Sequence, residues 1–278
     1  WANILGNVSD MDGIASLQYI LNEGAAVDLS LGPDDRRLVK DGDFNIDIFV
    51  EDLQSGTNTF EIIATDSFGE MAFETVFVQY DASSLWPLPY SINWADVVDI
   101  QDAVQVVDGK WMITTNGVRI SEIGYDRVLA IGDISWRDYE VTVPITVHGF
   151  DPGPLPPYSV SAGLGMTMRW TGHTDSPVNC SQPHCGWLPS GAGAWYDTRK
   201  GGPLTLDGNS DYSVSISVGD THYWKMRVET VEGVGPLYSV KVWPDGLQEP
   251  ENWNLQKQRG LSDLSQGSLI IILHHVDA

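Results

Sequence analysis

Turn residues interrupt this chain so often that no stretch is long and amphipathic enough to form a core-facing helix. Asp12-Gly13, Asn22-Glu23-Gly24, Asp41-Gly42, Ser55-Gly56 and Phe68-Gly69 punctuate the first third, with short apolar runs between them. Glycine admits positive φ in tight turns and weakens helices, so this spacing selects short strands. Candidate strands are residues 16–21, 27–31, 45–50, 59–65 and 72–80. Phe44, Ile46, Ile48 and Val50 share one face, which predicts a half-buried strand. The clearest alternation is at 138–150. There Tyr139, Val141, Val143, Ile145 and Val147 point one way, and Glu140, Thr142, Pro144, Thr146 and His148 the other. Pro144 cannot donate to a ladder, so this strand belongs at an edge or at a bulge. Further strands are expected at 111–115, 127–131, 161–170, 212–218, 223–231, 237–243 and 268–276. The fold class read from this pattern is all-β.

The length of 278 residues suggests two domains. Composition divides the chain near residue 85: residues 1–85 hold 3 basic and 16 acidic residues and one tryptophan, whereas the other ten tryptophans follow. A small, polar and then Pro-rich stretch at 81–89 reads as the linker. The expected domains are therefore 1–84, a small sandwich of short strands, and 85–278, a larger two-sheet jelly roll, each allowed to be incomplete at its outer end. The chain opens Trp1-Ala2-Asn3 and stops just after the apolar run 269–273, which reads as an excerpt of a longer protein. A net charge of −23 repels phosphate backbones and argues against a nucleic-acid partner. No apolar run approaches the ~18 residues of a membrane helix, so no membrane insertion is expected.

Cys180 and Cys185 are the two cysteines, in a Pro-containing loop. Such a pair can close a disulfide staple in an oxidising compartment. The rival is a metal site made with His173 and His184; the spacing fits no standard zinc pattern and favours the staple.

Residues 3–13, Gly56-Thr57-Asn58 and 64–69 resemble bacterial extracellular immunoglobulin-like and cadherin-like repeats. Gly124-Tyr125-Asp126-Arg127, Trp136-Arg137-Asp138-Tyr139-Glu140, Arg169-Trp170-Thr171-Gly172-His173, residues 238–243 and His274-His275-Val276-Asp277 resemble a concanavalin A-like lectin/glucanase (laminin-G-like) module. The resemblance implies an immunoglobulin-like sandwich followed by a concanavalin A-like jelly roll, in a secreted or cell-surface protein. Such sandwiches host lectins, hydrolases, lyases and structural domains alike, so function has to come from the site.

Catalysis finds little support. Retaining glucanases of family 16 carry Glu-x-Asp-x-x-Glu on one strand, and no such run occurs. Glu229 and Glu232 point to opposite faces, and Asp138 with Glu140 lies at a strand start. A polysaccharide lyase needs a carboxylate neutraliser and a Tyr or His base, for which Arg169, His173 and Tyr196 (or His148) are the candidates. The alginate-lyase Gln-Ile-His triplet and Arg-rich strand are missing, as are a nucleophile elbow and a phosphate loop.

Binding is better supported. Flat aromatics stack on the C–H faces of sugars while polar side chains hold the hydroxyls. Arg169, His173, Asp175, Trp187, Trp195 and Tyr196 surround the Gly/Pro-rich loop and form the expected glycan-binding set. Trp170 extends the Leu164, Met166, Met168 face and reads as core, as do Trp111 and Trp224. His274 and His275 fall on opposite faces of a regular strand and are not expected to act as one unit. Structural calcium is the cofactor expectation, at Asp10, Asp12 and Asp66 in turns and, by the resemblance, at Asp277. The leading expectation is a non-catalytic carbohydrate-binding module. A structural or adhesive part of an extracellular assembly, partnered by other protein subunits, comes second, and a lyase or glycosidase third.

Overall fold

The computed structural model describes residues 2–81, 86–151, 162–173, 182–184 and 189–278. The fold is all-β; among the described residues its helical content is three short 3₁₀ turns, at Val50–Asp52, Trp94–Asp96 and Ile100–Asp102. Among the described residues no helix is long and apolar enough to cross a membrane. The chain forms two compact units: Trp1–Leu88 with His173–Gly186, and Pro89–Gly172 with Trp187–Ala278.

The first unit contains β1 (Ala2–Asn7), β2 (Ile14–Leu21), β3 (Ala26–Asp28), β4 (Asp43–Ile48), β5 (Gly56–Asp66) and β6 (Met71–Tyr80). Strands β3-β2-β5-β6 form one antiparallel sheet and β1-β4 another. Leu17, Phe60 and Ile62 from the larger sheet share a core with Phe44, Ile46 and Ile48 from β4. The predicted face of β4 is thus in the core, but Val50 lies beyond the strand, in a 3₁₀ turn. The other face of β4 is buried as well, which the alternation does not reveal: Asn45 and Asp47 are enclosed. The reason is a buried ion pair. Asp47 accepts from Arg37 through both carboxylate oxygens, at 2.6 and 2.8 Å, and Oδ2 also accepts from the His184 amide at 2.6 Å. Gln182 brackets the same residue, its Oε1 accepting from the Asp47 amide and its Nε2 donating to the Asp47 carbonyl. Residues 182–184 therefore act as an extra layer over β4.

The second unit contains β7 (Gln105–Asp108), β8 (Trp111–Thr114), β9 (Gly117–Ile120), β10 (Arg127–Ile131), β11 (Tyr139–Thr146), β12 (Gly149–Phe150), β13 (Gly163–Trp170), β14 (Gly193–Asp197), β15 (Leu204–Leu206), β16 (Asn209–Asp211), β17 (Thr221–Val231), β18 (Gly235–Pro244), β19 (Leu255–Gln258), β20 (Ser268–His274) and β21 (Val276–Asp277). A seven-stranded antiparallel sheet, β16-β15-β14-β13-β20-β10-β7, and a four-stranded one, β11-β17-β18-β19, share the main core. Leu164, Met166, Met168, Tyr196, Leu269, Ile271 and Leu273 meet Trp224, Met226, Val228, Tyr238 and Val240 there. Pro144 sits on β11, an edge strand, as its missing N–H requires.

Two sequence expectations fail for identifiable reasons. Residues 212–218 form no strand. Val214 and Ile216 still face the core, but the Ile216 amide donates to the Tyr196 hydroxyl at 2.9 Å and the Ser213 amide to the Asp211 carboxylate at 2.7 Å, in place of a ladder. Trp170 is buried as expected but does not continue the Leu164, Met166, Met168 face. Arg169 takes φ +54 and the β13–β20 register slips there, from Thr167↔Ile270 to Trp170↔Ser268. The extra residue puts Trp170 on the side of Thr167. Trp111 only packs against the core margin, whereas Trp224 is fully enclosed.

Replacing Asp47 by Ala strands a buried guanidinium and is expected to cost about 3–5 kcal/mol, read as a lowered urea midpoint. The double change Arg37→Met with Asp47→Leu, which removes both charges, is expected to cost much less.

Candidate functional site

Arg169 and Tyr196 are not on a binding rim. Every hydrogen-bonding arm of Arg169 is engaged: Nε donates to the Arg137 carbonyl, Nη1 to the Leu264 carbonyl, and Nη2 to Asp138 at 3.1 Å and Thr230 at 2.8 Å. Its guanidinium also lies 5.9 Å from the centre of the Tyr238 ring, so it braces strand ends instead of facing solvent. Tyr196 is fully buried between the sheets. His173 is buried in the first unit. Asp175, Cys180, Cys185 and Trp187 lie outside the described residues.

The structure does bring Asp10, Asp12 and Asp66 together, with one carboxylate oxygen from each within 4.8 Å of the others. Both turns close on their own amides. Asp10 Oδ1 accepts from Asp12 N, and Asp66 Oδ1 accepts from the amides of Phe68 and Glu70. Asp277 belongs to the second unit. Its two oxygens take both arms of Arg119, at 2.7 and 2.5 Å.

Among the described residues of the expected binding set, Trp195 is the one that is half-buried and not enclosed. It lies on β14 opposite Gly165 of β13. A Cβ built at Gly163 would come within 2.8 Å of the indole Cζ2, and one at Gly165 within 3.0 Å of Cε3. The backbone of β14 closes the same two positions more tightly, with the Tyr196 and Ala194 carbonyl oxygens 2.2 Å from where those Cβ atoms would stand, so the indole rests on two glycines that the strand pairing itself requires. The seven-stranded sheet is otherwise buried on both faces along β13 and β20, so Trp195 marks where that surface opens.

Next to the indole stands a cluster that the sequence did not predict as a unit. His274 is centred 6.1 Å from Trp195 and 4.8 Å from Tyr125, both edge-on. His274 and His275 have ring centres only 4.6 Å apart. Regular alternation would separate them, but His275 takes φ +55 and turns its ring back. That conformation is clamped: the His275 amide donates to the Gly124 carbonyl at 2.8 Å, and the His275 carbonyl accepts from the Asp151 amide at 3.0 Å. Asp126 Oδ1 lies 2.8 Å from His274 Nδ1, which fixes that ring, and Asp151 Oδ2 lies 3.5 Å from His275 Nδ1. Arg199 donates to the Asp151 carbonyl.

The turn carrying Tyr125 and Asp126 is held from below. Arg127, fully buried, pairs with Asp108 at 2.9 Å. Its side chain passes where a Cβ on Gly109 or Gly124 would stand, 2.3 and 2.1 Å from it. Glycine at those positions is therefore a packing requirement. The finished arrangement sets two half-buried rings, Trp195 and Tyr125, and the half-buried Asp126 around a pair of buried imidazoles. The Gly124–Arg127 run and the His-His pair were noticed in the sequence only for their resemblance to a lectin-like module; what sequence could not supply was the left-handed turn at His275.

No protein-family model matches the chain, and no curated protein matches it either.

Burial, and next the neighbouring His274, push the His275 imidazole below its ordinary pKa of 6.5, against the pull of Asp151. Burial does the same to His222. Because the folded pKa is depressed, the unfolded chain takes up these protons first. Stability is therefore complete above about pH 6.5 and is lost as pH falls through the folded values. Melting temperature followed from pH 7 to pH 5 is expected to fall, and His275→Gln is expected to flatten the slope.

Proposed function

We propose that the second unit is a concanavalin A-like jelly roll that binds carbohydrate and does no chemistry of its own. In this reading it is joined to an immunoglobulin-like first unit in a secreted or cell-surface protein. The observation that carries the reading is the half-buried Trp195, whose indole spans Gly163 and Gly165 beside the His274–Asp126 pair. A pyranose ring stacks an apolar face on such a plate, while Asp126 and Tyr125 at its margin supply hydroxyl partners. Support against chain cleavage comes from the same geometry. Of the expected lyase residues, Arg169 and Tyr196 are spent on internal contacts and His173 is buried in the first unit. Asp138 is held by Arg169 and Thr230, and Glu140 by Lys225 at 3.3 Å, which leaves neither carboxylate poised as a glycosidase acid. Calcium is no part of this reading, since Asp10, Asp12 and Asp66 belong to the first unit and the proposed binding surface to the second.

The test is a panel of soluble and insoluble polysaccharides, assayed by pull-down and calorimetry with added calcium and with a chelator. The wild-type chain is expected to bind at least one glycan, and Trp195→Ala to weaken that binding by roughly tenfold or more. Absence of binding across the panel, or equal binding by the variant, overturns the reading.

A further inference from the structure

Strand β6 runs for ten residues at the edge of its sheet, paired with β5 from Tyr80↔Gly56 to Met71↔Thr65 and, among the described residues, with nothing on its other side. Met71, Phe73 and Phe77 project from the sheet face away from the core and are 55%, 58% and 68% exposed. Exposed edges of this length are normally blunted by shortness, proline or charge. Other edges here follow that rule: β3 and β16 have three residues each, β19 has four with Lys257, and β11 carries Pro144. In β6 the sole charge is Glu74, although residues 1–85 hold 16 acidic residues.

We propose that β6 pairs antiparallel with β6 of a second copy of this chain, joining two four-stranded sheets into one across a two-fold axis. The strand's own order selects that partner. Its outward series Met71-Phe73-Thr75-Phe77-Gln79 is nearly symmetric about Thr75. An antiparallel copy centred there sets Phe73 of each chain opposite Phe77 of the other, giving two aromatic cross-strand pairs. The same register places Glu74 opposite Val76, so no acid directly faces its counterpart. With 16 acidic against 3 basic residues in 1–85, a second copy is repelled by most other approaches to the first unit, and β6, with one acid in ten residues, opposes it least. An isologous contact of this kind closes on itself and yields a dimer. The inference does not depend on the carbohydrate-binding reading, since no residue of β6 belongs to that site.

Analytical ultracentrifugation of the full chain across micromolar concentrations tests the pairing. The wild type is expected to dimerise as concentration rises. Phe73→Lys with Phe77→Lys, both at exposed positions, is expected to raise the dimer Kd by about tenfold or more while leaving the melting curve in place. Thr75→Cys is expected to give an oxidised, interchain-linked dimer that neither the wild type nor Thr57→Cys forms. A chain that stays monomeric at every concentration leaves the edge to a strand of another protein and overturns the proposal. So does a dimer unaffected by the paired lysines, or failure of Thr75→Cys to cross-link.

Discussion

Alternation of side chains along a strand is a rigid rule, since a slip of one residue sends every later side chain to the opposite face. The second unit depends on that rule being broken at two residues. At Arg169 a left-handed φ adds one residue to β13. Its guanidinium then reaches the strand ends that hold Asp138 and Thr230, while Trp170 crosses to the other face. At His275 a second left-handed residue ends β20 and folds its ring against His274. Non-glycine residues are uncommon in this region, and each one here is held by hydrogen bonds from neighbouring segments. The amide of Arg169 donates to Tyr139 Oη at 3.0 Å, and the backbone of His275 is bonded to Gly124 and Asp151.

The regular part of the fold was legible for the same reason. Alternation along 139–147 and at Phe44, Ile46 and Ile48 reports which face meets a core, and Pro144 reports an edge, because both follow from local geometry. It could not report what covers the opposite face of β4, since residues 182–184 lie some 135 positions away from Asp47 in sequence. Nor could it foresee that Ile216 satisfies its amide with a tyrosine hydroxyl. The site was half legible. A tryptophan two strands from a histidine pair gives no local sign of contact, and the apparent rule that adjacent histidines diverge holds only for a regular strand. Arg169 and Tyr196 were attractive as chemistry for the reason they are now understood as structure: long polar side chains serve equally well to bind a ligand or to tie a fold together.

Each unit also buries an arginine–aspartate pair, Arg37–Asp47 in the first and Arg127–Asp108 in the second. Desolvating two charges offsets most of their attraction, so such pairs add little net stability; what they contribute is a fixed geometry. In the first unit the pair attaches a sequence-distant segment to β4. In the second it anchors the turn that presents Tyr125 and Asp126, so a wholly enclosed pair determines where two partly buried groups stand.

The indole over Gly163 and Gly165 has a consequence for how this surface can change through descent. The three positions are not equally free to vary: a methyl group at either glycine would meet the carbonyl oxygen of Tyr196 or Ala194 at 2.2 Å, so both stay bare whatever stands at position 195. The tryptophan, by contrast, can be exchanged without disturbing the strand beneath it. Divergent copies of this sandwich should therefore keep the two glycines and gain or lose the aromatic plate by one substitution.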